Sequence, residues 1–94
     1  MAARRPNQRR PRGQHDPVYE VLRNLVREAR EKAKLTQRDL AGALKRDRSY
    51  VWKSEQGERR MDVVEVIRWL RACGSEPLDL FRQMIIEERR GPHQ

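Results

Sequence analysis

The sequence has one cysteine, Cys73, so no disulfide can form within the chain. A lone thiol on an apolar helix face suits a reducing compartment, and a cytoplasmic protein is expected. The two histidines, His15 and His93, lie in opposite tails. With these and a single cysteine there is no zinc-ligand pattern, so no metal is expected. There is no glycine-rich phosphate loop, and no serine can be paired with a histidine for nucleophilic catalysis. Asp16, Asp39, Asp47 and Asp62 are accounted for as helix starts, which removes the obvious acid–base candidates. The chain therefore reads as a non-enzyme without a cofactor. No apolar run approaches membrane-spanning length, and the first residues carry no apolar signal core. No membrane partner is expected. Alternating apolar runs and Asn-Gly or Asp-Gly turns are missing too, which removes the strand signals.

What is present is charge and helical spacing. Charged residues make up 38% of the 94 positions, aromatics only 5%, and the net charge is +8. One small domain with tails fits this length. Residues 1–15 carry Arg4, Arg5, Arg9, Arg10 and Arg12 and no acid, so they hold +5 of the total. Residues 35–60 hold another +3, whereas residues 61–94 sum to −1. Positive charge on one side only points to a polyanion partner. Proline, glycine and arginine without apolar periodicity make 1–15 a disordered basic arm. It would serve as a phosphate- or minor-groove-contacting arm or as a solubilising tail.

The informative stretch is LTQRDLAGALKRDRSYVWKSEQG, residues 35–57. Thr36 is a good N-cap, and Asp39 three residues on imitates a capping box. Leu40 and Leu44 share a face, and small Ala41 permits a close helix crossing. A second helix starts at Asp47 and stops at Gly57. In it Val51 points inward, while Arg48, Ser49, Trp52 and Lys53 fall on a polar arc. Such a helix suits the DNA major groove, so a base-contact role is expected for these four. Trp52 has two readings, contact with a thymine methyl or sugar and repair of the core. Lys45 and Arg46 in the turn, and Arg59 and Arg60 in the following loop, are expected beside phosphates. Gln37, at the start of the first of these helices, is placed to donate to a phosphate and to brace the reading helix.

Three more helices frame this unit. Asp16-Pro17 opens one whose Val18, Leu22, Leu25, Val26 and Ala29 recur at helical spacing. Asp62 and Glu65 open another, with Val63, Val66, Ile67, Leu70 and Cys73 on its inner face and Trp69 widening it. Ser75-Glu76-Pro77 starts the last. There Leu78, Phe81 and Ile85 share one face and Leu80 and Met84 another. That is more apolar surface than one small core needs. Leu80, Met84 and Ile85 are therefore expected at a dimer interface.

The set Leu35-Thr36-Gln37, Leu40-Ala41, Leu44, Ser49, Val51, Lys53, Glu55 and Gly57 resembles the helix-turn-helix of phage-repressor-like (XRE family) proteins. Glu58 to Asp62 and Gly74 to Leu78 fit the same pattern, and the likeness spans roughly residues 20–82. Lys34 and Lys45 stand where the family usually has glycine at a left-handed turn. Arg46 and Ser54 occupy positions more often apolar, with Tyr50 and Trp52 available to replace the lost area. The resemblance implies an Arg30–Glu55 ion pair tying the first helix to the reading helix.

The expected fold is thus all-α: a compact five-helix, lambda-repressor-like DNA-binding domain over 16–88, with its reading unit at 36–57. A disordered Arg-rich arm occupies 1–15 and a frayed C-terminus 89–94. The expected function is sequence-specific binding of double-stranded DNA as a transcriptional regulator. A homodimeric repressor on a palindromic operator fits best. An antitoxin-like module that binds a partner protein is the alternative, and a nonspecific nucleic-acid binder driven by the arm is a third.

Overall fold

The computed structural model describes residues 16–90. The arm at 1–15, both histidines and the tail at 91–94 lie outside the described residues. Five helices and no strand occur among the described residues: α1 (Pro17–Lys32), α2 (Gln37–Leu44), α3 (Arg48–Gln56), α4 (Val63–Ala72) and α5 (Pro77–Arg89). The last helix runs one residue into the segment expected to fray.

Local chemistry accounts for the helix starts. The Asp16 carboxylate accepts from the Val18 N–H, with Pro17 next in line. Thr36 and Asp39 form a full capping box, as do Asp62 and Glu65. Each box satisfies two N–H groups that a helix start leaves unpaired. Asp47 holds the N-cap position of α3 by backbone geometry, but its side chain makes no capping hydrogen bond. Its expected capping role is therefore confined to position.

Four helix ends share one closure. The backbone turns left-handed at Lys34, Lys45, Gly57 and Gly74. The N–H of the following residue then reaches back to the last helical turn: Leu35 to the Arg30 carbonyl, Arg46 to Ala41, Glu58 to Lys53 and Ser75 to Leu70. This is the Schellman closure, which favours glycine. Two of the four sites carry lysine, at φ 64° and 58°. A side chain there costs on the order of 1 kcal/mol. Replacing Lys34 with glycine is therefore expected to stabilise the domain. The net gain is about 0.5 kcal/mol at most, because glycine also loosens the unfolded chain by roughly 0.4–1 kcal/mol. A urea melt reads it as a higher midpoint at unchanged slope.

The core is shared by all five helices: α1 packs against α3, α4 and α5, α2 against α3 and α4, and α4 against α5. Val26, Leu40, Val51 and Trp69 are inaccessible to solvent. Trp69 buries the largest side chain, and its indole N–H donates to the Val26 carbonyl at 3.0 Å. That bond satisfies the one polar atom of the ring and fixes α4 against α1. The Tyr19 hydroxyl accepts from the Met61 N–H at 2.6 Å, pinning the loop before α4.

Two expectations about faces change. Leu80 is only 7% exposed and belongs to this core, so it is not available as a dimer contact. The outward apolar residues of α5 are instead Leu78, Ile85 and Ile86, with Met84 half-buried against the core. Val63, expected on the inner face of α4, is 57% exposed. Its spacing from Val66 and Leu70 is right, yet it sits in the first, open turn. Periodicity sets the side of a helix, not how far along it the neighbours reach.

Candidate nucleic-acid interface

The residues of α3 alternate in blocks of two. Arg48 and Ser49 are exposed, Tyr50 and Val51 buried, Trp52 and Lys53 exposed, Ser54 and Glu55 buried. At 3.6 residues per turn this places the exposed four on one face and the buried four on the opposite one. All four expected base-contact residues thus project from a single uncovered arc. Trp52 is 43% exposed, so its core reading falls away. Tyr50 and Val51 supply the apolar area beneath the helix. Ser54, buried completely, is satisfied by donating its hydroxyl proton to the Tyr50 carbonyl at 2.8 Å. Gln56 is exposed as well and continues the arc, seven positions after Ser49. The spacing alone could have placed it there.

Glu55 anchors the arc from behind. Its side chain is 2% exposed, and four bonds bind its surroundings. Arg30 donates through Nε to one oxygen at 2.7 Å and through Nη2 to the other at 3.1 Å. The same guanidinium donates from Nη1 to the Leu35 carbonyl at 2.9 Å. The Gln37 amide then donates to Glu55 Oε1 at 3.0 Å. One carboxylate thus ties α1, the turn before α2, and α2 itself to the back of α3. Two parallel N–H bonds from a planar fork fix direction as well as distance. The Glu55 hydrogen bond, opposed by burial, raises the Arg30 pKa above its ordinary value. The Gln37 side chain performs the bracing role expected of it.

The flanking cations divide into two kinds. Lys45, Arg46 and Arg60 are exposed around the turn and the loop. Arg59 is engaged within the fold. Its two terminal nitrogens donate to the two Glu65 oxygens at 3.2 and 3.1 Å, and its guanidinium carbon lies 4.6 Å from the centre of the Tyr50 ring. Any phosphate approaching Arg59 would share it with Glu65. The turn residue Arg46 lies over the same ring at 3.9 Å. Neither ring contact has a signature in the sequence, because each depends on where the turn and the loop close.

Two carboxyls give the domain an acid limit. Burial opposes the charged form of Glu65, but the Arg59 hydrogen bond and the Asp62 N–H outweigh it and lower its pKa. Hydrogen bonds from Thr36 lower that of Asp39. Both groups are stronger acids folded than unfolded. Their stabilisation is therefore complete above the unfolded values, about pH 4, and is lost as the pH falls through the lower folded ones. The urea midpoint is expected to stay level near neutrality and to drop on acidification. Glu65→Gln is expected to flatten part of that drop.

Among the described residues, no helix is long and apolar enough to cross a membrane. A family model for the helix-turn-helix domain matches residues 13–83. Among solved structures, an XRE-family-like protein from Pseudomonas syringae pv. tomato str. DC3000 is similar at 38% sequence identity and a TM-score of 0.71, the match covering 74% of this chain and 85% of that one. No curated protein matches the chain.

Proposed function

Since this chain belongs to the XRE family of helix-turn-helix DNA-binding proteins, we propose that it is a sequence-specific transcriptional regulator acting through α3. The observation that carries this is the split of α3 into two faces. One face is pinned by Glu55, Tyr50 and Val51, and the other presents Arg48, Ser49, Trp52 and Lys53 to solvent. A rigid helix with an uncommitted polar arc matches major-groove readout, in which Arg or Lys donates to guanine and an apolar group meets the thymine methyl. Lys45, Arg46 and Arg60 offer exposed positive charge suited to phosphates, whereas the Gln37 amide and Arg59 already donate to Glu55 and Glu65 and would reach a phosphate only in addition.

The regulator is a repressor and acts as a homodimer on a palindromic operator. Leu78, Ile85 and Ile86 leave an apolar strip exposed on α5, which a second copy would cover. Half-sites would then lie about one DNA turn apart, ~34–36 Å. The same strip supports the second reading, an antitoxin-like module that docks a partner protein.

Selection from a random duplex library at near-physiological salt tests the proposal. A two-fold symmetric enriched sequence establishes a dimeric, sequence-specific binder. Salt-sensitive binding without enrichment would remove sequence reading from the protein.

A further inference from the structure

The Tyr50 ring carries two guanidinium groups whose circumstances differ. Arg59 is neutralised by Glu65, which it meets at 3.1 Å in a two-point bridge. Arg46 takes part in none of the ion pairs found among the described residues, and its charge faces solvent. Its guanidinium carbon nevertheless lies 3.9 Å from the ring centre, closer than that of Arg59. The ring cannot drift, because Tyr50 is buried and its centroid sits 6.4 Å from that of the inaccessible Trp69. A cation held over an aromatic face keeps its N–H donors available at the ring's margin. An exposed arginine ordinarily has to freeze a long side chain when it meets a phosphate. Arg46 is already held, at the N-terminal end of the reading helix.

We propose that Tyr50 is a positioning residue that holds the Arg46 guanidinium in place to receive a DNA phosphate oxygen. The assignment rests on the DNA-binding reading above. Arg59, occupied by Glu65, packs the same ring without competing for that phosphate. Tyr50 therefore serves two ends, filling the space under α3 and fixing a cation beside it.

The test is a salt series of binding to the selected operator and to an unrelated duplex, using the full chain. Arg46→Ala should weaken both duplexes alike and reduce the slope of log affinity against log salt by about 0.9. Tyr50→Phe keeps the ring and should bind as the wild type does. Tyr50→Leu should bind about 2- to 10-fold more weakly, because Arg46 must then be ordered on binding. Added to Arg46→Ala, it should cause no further loss. A merely structural Tyr50 would instead give additive losses, and that result overturns the assignment. If Tyr50→Leu does not fold, Arg46→Lys decides. Lysine keeps the charge but lacks the planar fork, so binding should fall while the slope holds. Affinity equal to the wild type overturns the assignment. Wild-type protein that binds no duplex at all overturns the DNA reading itself. Duplex binding that Arg46→Ala leaves intact overturns only the Tyr50–Arg46 assignment.

Discussion

Replacing Glu55 with alanine is expected to remove about 3–5 kcal/mol of stability, the usual cost of taking one partner from a buried ion pair. The loss has three parts. Arg30, itself 12% exposed, keeps its charge without its counter-ion. The Gln37 amide loses its acceptor. A void opens behind α3. Domains of this size sit near the lower end of the usual 5–15 kcal/mol stability range, so the loss should leave much of the protein unfolded at 37 °C. Chemical denaturation followed by circular dichroism reads it directly. Arg30→Ala should cost a similar amount. The double substitution Arg30→Met/Glu55→Leu should be far less harmful than either single change, because no charge is left buried. Its DNA affinity is then informative. A stable double variant that binds operator poorly would show that the pair sets the direction of α3 more than its stability. Full stability after Glu55→Ala would show that the bridge contributes little.

The double variant Arg48→Ala/Lys53→Ala is expected to lose operator selectivity while remaining folded. Both side chains are exposed and make no ion pair among the described residues, so stability should change by only about 0.5 kcal/mol. Each good side-chain contact to a base edge contributes about 1–3 kcal/mol of discrimination. Losing two should lower the ratio of operator to random-duplex affinity by about 30-fold or more. Weak, salt-dependent binding through the remaining cations should persist. Measuring both duplexes at one salt concentration isolates the effect. A variant that still enriches the wild-type sequence would place base reading outside α3.

Arg48 and Lys53 followed from spacing, since a helix beginning after Asp47 and ending at Gly57 puts Val51 on the opposite side. The Arg30–Glu55 pair joins positions 25 residues apart. No local pattern places them together, and only the family likeness suggested it. The α5 assignments divide the same way. Apolar residues on two faces were evident, but which face the domain would cover was not. Leu80 went inward, and Leu78, Ile85 and Ile86 stayed outside. Helical spacing leaves Trp52 two roles, and its 43% exposure in the folded domain excludes the core one.

The sequence by itself determined the five helices, because caps, glycines and apolar spacing act within one or two turns. The family likeness marked Lys34 and Lys45 as places where glycine usually makes a left-handed turn, and the structure shows that both lysines adopt it. The sequence also determined that positive charge would gather around residues 35–60. Only the tertiary structure decided which carboxylate would be buried, which apolar face would be covered, and which arginines would lie against Tyr50. Those outcomes depend on how helices cross and how far each reaches along its neighbour. That geometry is set by all the packed side chains together, and it has no signature within any one helix.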